Sequence, residues 1–80
     1  MQIKPGSQWR ITGVDEAMPA SFRRKLFSLG LVPGAVMDIV RIAPLGDPAQ
    51  IRVRHTSYAL RKAELAMLQL EAVNAGEQAL

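Results

Sequence analysis

The sequence predicts a mainly β fold: one small, strongly bent barrel of about five short strands, with a helix inserted after the first strand and a helical turn before the last. Three observations carry this. The chain has 80 residues, enough for a single small core. Most of it reads as short runs that alternate apolar and polar side chains or are rich in β-branched ones, the signature of strands. The 3.6-residue period is sustained in one segment, Pro19 to Leu29.

The elements follow in order. Pro5-Gly6 is a turn signal. In "GSQWRITGV" Trp9 and Ile11 fall on one side and Arg10 and Thr12 on the other, so this strand buries Trp9 and Ile11. "PASFRRKLFSLG" is the helix, with Pro19 at its first position, where a missing N–H is harmless. Phe22, Leu26 and Leu29 form its apolar stripe, and Arg23, Arg24 and Lys25 are expected to face away. Gly30 ends it as a left-handed residue, which places Leu31 to pack back on Leu26. Pro33-Gly34 is a second turn.

"AVMDIVRIA" is apolar on both faces, as a central or strongly bent strand is. "QIRVR" alternates, with Ile51 and Val53 inward and Arg52 and Arg54 outward. "HTS" is a turn and "YALR" a further strand with Tyr58 and Leu60 inward. "KAELA" is a helical turn, and "MLQLEAV" closes the fold with Leu68, Leu70 and Ala72 on one face. Strands this short cannot make a sandwich. They can curl into an SH3-like barrel, which also pairs off the edge strands. The domain is expected to span 1–73, with 74–80 a flexible tail.

Composition excludes several function classes. There are no cysteines, so disulfides, thiolate nucleophiles and cysteine metal sites are absent; a domain this small without disulfides points to a reducing, cytoplasmic setting. No apolar run approaches the length of a membrane span, and no apolar segment follows Lys4 as a signal peptide requires. His55 is the one histidine, at an expected turn without a neighbouring carboxylate. Transition-metal sites need three or four ligands, so His55 is at most an adventitious ligand and no metal site is expected. One turn histidine makes no catalytic triad, and no Gly-rich phosphate motif occurs. The expectation is a protein that is not an enzyme and carries no cofactor.

The net charge is +3, and the bases are scattered. Arg52 and Arg54, which project from one strand face, raise an alternative: a small nucleic-acid-binding barrel. Four aromatic residues, with Trp9, Phe22 and Tyr58 assigned to the core, leave no base-stacking platform. Specific nucleic-acid recognition is therefore not expected.

"LFSLGLVPG", then "VRIAPLGDPAQIRV", then "YALRKAELAML" resemble, in that order, the ferrous-iron transport protein A (FeoA) family. The matching pieces are Leu29-Gly30 with Pro33-Gly34, the segment Ala43 to Pro48, and Leu60-Arg61-Lys62, within a likeness that runs from about Trp9 to Val73. His55 departs from the glycine-bearing turn that the resemblance implies there. The resemblance implies an SH3-like barrel in the bacterial cytoplasm with no active site of its own. It also implies a partner, the cytosolic G-protein domain of the ferrous-iron transporter, with membrane contact only through that partner. Transition-metal binding belongs to the family's setting.

Pro44, Leu45, Gly46, Asp47 and Pro48 are the candidate partner-binding residues. Ala43 to Gly46 fits a type I turn, with Pro at the second position and Gly at the fourth. Asp47 is expected to accept N–H bonds inside the loop, and Pro48 restricts it further. Leu45 has two readings: an anchor folded back on the barrel, or an apolar knob on a stiff tip. The knob reading leaves weak self-association open.

Overall fold

The computed structural model describes residues 3–73. Strand β1, Gln8–Val14, buries Trp9 and Ile11 as the alternation requires. A turn at Asp15, whose carboxylate accepts the Ala17 N–H at 2.8 Å, leads to α1, Ala20–Ser28. Pro19 takes the N-cap place (φ −57°, ψ 140°), so the helix starts one residue later than expected. Strands β2, Val36–Ile42, β3, Ala49–Val53, and β4, Thr56–Leu60, form a meander. The helical turn α2, Lys62–Leu65, then leads to β5, Leu68–Ala72.

The strands form one antiparallel sheet in the order β4-β3-β2-β1-β5. Among the described residues thirteen buried apolar side chains form a single cluster, to which every strand and both helices contribute. One sheet can wrap one core from β4 to β5 only by curling, which is the mainly β, SH3-like barrel the sequence predicts. Its closure differs from the expectation. β4 and β5 are not hydrogen-bonded to each other, so both remain sheet edges. The chain between them is taken up by α2, whose Leu65 fills the core there.

The end of α1 follows its sequence signals. Gly30 has φ +91°. The Gly30 N–H donates to the Phe27 carbonyl at 3.0 Å and the Leu31 N–H to the Leu26 carbonyl at 3.0 Å, the two bonds of a Schellman ending. Leu26 and Leu31 are both fully buried. Gly34, in the next turn, donates to the Ile11 carbonyl at 2.7 Å and so joins that turn to β1.

Two further expectations need correction, and a third is refined. Arg24 and Lys25 are exposed, but Arg23 is half-buried and its Nε is buried without a partner among the described residues. The cause is helical spacing: Arg23 lies three residues before Leu26 and borders the apolar stripe. The turn after β3 is Arg54-His55 rather than His55 to Ser57, and β4 already begins at Thr56. In β2, Met37 and Ile39 point to the core while Val36 and Val40 are exposed, and a register irregularity falls at Val40. The two-faced apolar pattern therefore records a bulge as well as a central position. Residues 74–80, expected as a tail, lie outside the described residues.

Candidate functional site

The loop between β2 and β3 is braced at three levels. The Gly46 N–H donates to the Ala43 carbonyl at 2.7 Å, closing a β-turn over Pro44 and Leu45. Pro44 fixes its own φ, and Gly46, at φ +85°, supplies a backbone angle that costs other residues strain. One step further in, the Ala43 N–H donates to the Pro48 carbonyl at 3.0 Å and shuts the base of the loop. The Asp47–Pro48 peptide is cis.

Asp47 corrects an expectation. Its carboxylate accepts the Lys62 N–H at 2.9 Å, across fifteen positions of sequence, rather than an N–H inside the loop. Lys62 opens α2, where backbone N–H groups have no partner within the helix, so the loop's one acid is drawn there. The loop is thereby fastened to the segment that joins the two sheet edges.

Of the two readings of Leu45, the structure has the knob: Leu45 is 96% exposed. Beside it, at Gly46, opens an apolar cleft of about 310 Å³, lined also by Ile42, Ala49, Lys62, Leu65, Leu68 and Leu70. The loop thus presents a protruding leucine next to a recess floored by aliphatic side chains. Lys62 is the charged residue among those that line the cleft, and the rest of the described lining is apolar or glycine. What the arrangement can do is hold another apolar surface.

The remaining candidates fall elsewhere. Leu29, Gly30, Pro33 and Gly34 belong to the α1 ending and the turn after it, and Leu60 is buried at the end of β4. The Leu29 carbonyl accepts the Tyr58 hydroxyl at 2.9 Å, which ties the end of α1 to β4. His55 is exposed in the β3–β4 turn, and among the described residues no group of three or more metal-ligating side chains comes together. Arg52 lies on the outer face of β3 with its Nε 3.9 Å from the Asp38 carboxylate, whereas Arg54 sits in the turn at φ +58°. The two arginines therefore share no regular strand face. Sequence reasoning missed the cleft, because its lining comes from four separate elements and has no local signature.

Comparison with known proteins shows the family and the fold. The FeoA domain matches residues 1–72. A 53-residue stretch is 30% identical to the Fe(2+) transport protein A/Fe(2+) transporter FeoB fusion protein of Porphyromonas gingivalis, covering 66% of this chain and 6% of that protein. An NMR structure of a Pseudomonas aeruginosa protein is 49% identical, with TM-score 0.70 over 90% of this chain and 96% of that one. The crystal structure of Stenotrophomonas maltophilia FeoA complexed with zinc, described as a prokaryotic SH3 domain protein, shares the fold. It has TM-score 0.74 and 24% identity over 88% of this chain and 85% of that one. Among the described residues no helix is long and apolar enough to cross a membrane. By its fold and a match along nearly its whole length, the chain belongs to the FeoA domain family, which is linked to ferrous-iron transport.

Proposed function

We propose that this protein is a cytoplasmic, non-catalytic adaptor for ferrous-iron uptake, docking through Leu45 and the adjoining cleft on the cytosolic G-protein domain of the ferrous-iron transporter. The observation that carries the reading is Leu45, an apolar side chain held out in water by a loop braced on three sides. A stiff loop loses little conformational entropy on docking. Burying one leucine contributes about 2 kcal/mol, more than tenfold in affinity. One relative supports the choice of partner and another the accessory role. In the Porphyromonas gingivalis protein a transport protein A segment and the transporter are one polypeptide, and the Stenotrophomonas maltophilia protein is described as a candidate ferrous-iron transport activating factor.

The test pairs binding with activity. Leu45→Asp is expected to lose co-purification with the transporter while its melting temperature holds. Any change this protein causes in GTP hydrolysis by the transporter's soluble domain is expected to vanish with the same variant. Normal co-purification of Leu45→Asp would remove the loop as the contact.

A further inference from the structure

We propose that the free edge of β4 is a second docking site, one that takes an extended acidic peptide segment of another protein as an added strand. It borders the base of the β2–β3 loop but makes no use of Leu45.

The hydrogen-bond pattern comes first. Val53 and Thr56 flank the two-residue turn Arg54-His55, and the residues flanking such a turn exchange both of their backbone bonds. Alternation then makes Ile51 with Tyr58 and Ala49 with Leu60 bonded pairs as well. Ser57 and Ala59 must turn their N–H and C=O groups away from β3. Among the described residues no backbone group outside the sheet bonds to either. Both residues are exposed.

An open edge of this kind is normally blunted by charged residues, Pro or a bulge. The other edge has such protection: Glu71 lies on β5, and its pairing with β1 is irregular between Ile11 and Gly13. β4, Thr-Ser-Tyr-Ala-Leu, has no charge and no Pro, and its pairing with β3 runs without a register shift. It is an edge left able to pair, and main-chain pairing of this sort is a recurrent way to bind extended peptides.

Charge selects the occupant. Arg54 precedes β4, Arg61 and Lys62 follow it, and Arg41 lies at the far side of a shallow cleft of about 280 Å³ that Ser57 and Ala59 also line. The nearby acids are engaged with backbone: Glu64 accepts the Arg61 N–H at 2.8 Å and Asp47 the Lys62 N–H at 2.9 Å. Arg41, Arg54 and Arg61 form no ion pair among the described residues. A second copy is a poor occupant. Antiparallel pairing of two β4 strands about Tyr58 sets Arg54 and His55 of one copy alongside Arg61 and Lys62 of the other. An acidic strand meets the same bases with attraction.

The probe is a blocked octapeptide of alternating glutamate and valine, titrated into the full chain and followed by backbone amide chemical shifts. The expected result is saturable shifts centred on Ser57 and Ala59, weakened by added salt. The lysine–valine counterpart is expected to give none. N-methylation of alternate residues of the probe is expected to weaken binding at least about tenfold, the scale of a lost hydrogen bond. The double variant Arg41→Glu/Arg61→Glu is expected to do the same. Ala59→Pro removes one edge N–H at a place where sheets tolerate Pro, and its loss of binding counts with an unchanged melting temperature; the N-methylated probe asks the same of the unaltered protein. No saturable shift at millimolar peptide, equal binding of the N-methylated probe, shifts centred on the cleft beside Leu45, or self-association through β4 would each overturn the proposal.

Discussion

The Tyr58 hydroxyl donates to the Leu29 carbonyl at 2.9 Å, joining β4 to the last turn of α1. The carbonyls at a helix end have no partner within the helix, so this bond satisfies an acceptor in a half-buried place. Tyr58→Phe is expected to destabilise the fold by about 1 kcal/mol. For a domain of this size that lowers the melting temperature by about 4–8 °C, readable by circular dichroism. An unchanged melting temperature would mean that water replaces the hydroxyl without loss.

Gly30 tests backbone strain in isolation. A Cβ added there meets nothing closer than the Val53 Cγ1 at 3.9 Å, an ordinary contact, while φ is +91°. The cost of Gly30→Ala is therefore backbone strain without a clash, about 1 kcal/mol. Gly30→Asn is expected to cost less than Gly30→Ala, because Asn tolerates positive φ. Equal losses in urea melts would point to packing instead.

Arg54 offers the reverse case. It is the non-glycine residue with positive φ among the described residues, at +58° in a tight hairpin turn. Arg54→Gly relieves about 1–2 kcal/mol of strain and returns about 0.5–1 kcal/mol as unfolded-state entropy. The expected outcome is a slightly higher melting temperature. A fall would show that the arginine side chain holds the turn.

Asp47→Ala is expected to unfasten the loop from α2 and leave Leu45 in place. The Lys62 amide loses its 2.9 Å acceptor and is expected to exchange with solvent faster. The stability change is about 1 kcal/mol. Transporter binding, if it needs a stiff loop, weakens although no apolar atom has been removed.

Most of the fold was legible because its signals are local. Alternation placed Trp9, Ile11, Ile51 and Val53 inward, and Gly30 with Leu31 announced the helix ending. What was hidden depends on distance along the chain. Nothing near Asp47 indicates that Lys62 will be its donor, and nothing near Tyr58 indicates Leu29. The turn at Arg54-His55 was displaced because neither residue is a usual turn former, so the polar cluster after it drew the assignment. The stiffness of the Pro44–Pro48 loop could be read from its prolines and glycine. Leu45's exposure could not, since a leucine has equal reason to fold back until the neighbouring surface is known.

The Val73 N–H donates to the Gln8 carbonyl at 3.0 Å, and Trp9 faces Ala72 across the β1–β5 pair. Entry and exit of the sheet therefore stand side by side, roughly one strand spacing of 4.8 Å apart. Such a module can be spliced into a hairpin of a host protein, or appended at either end of one, without prising any of its strands apart. Gene fusion with a larger polypeptide is mechanically easy for this architecture, whatever the host does.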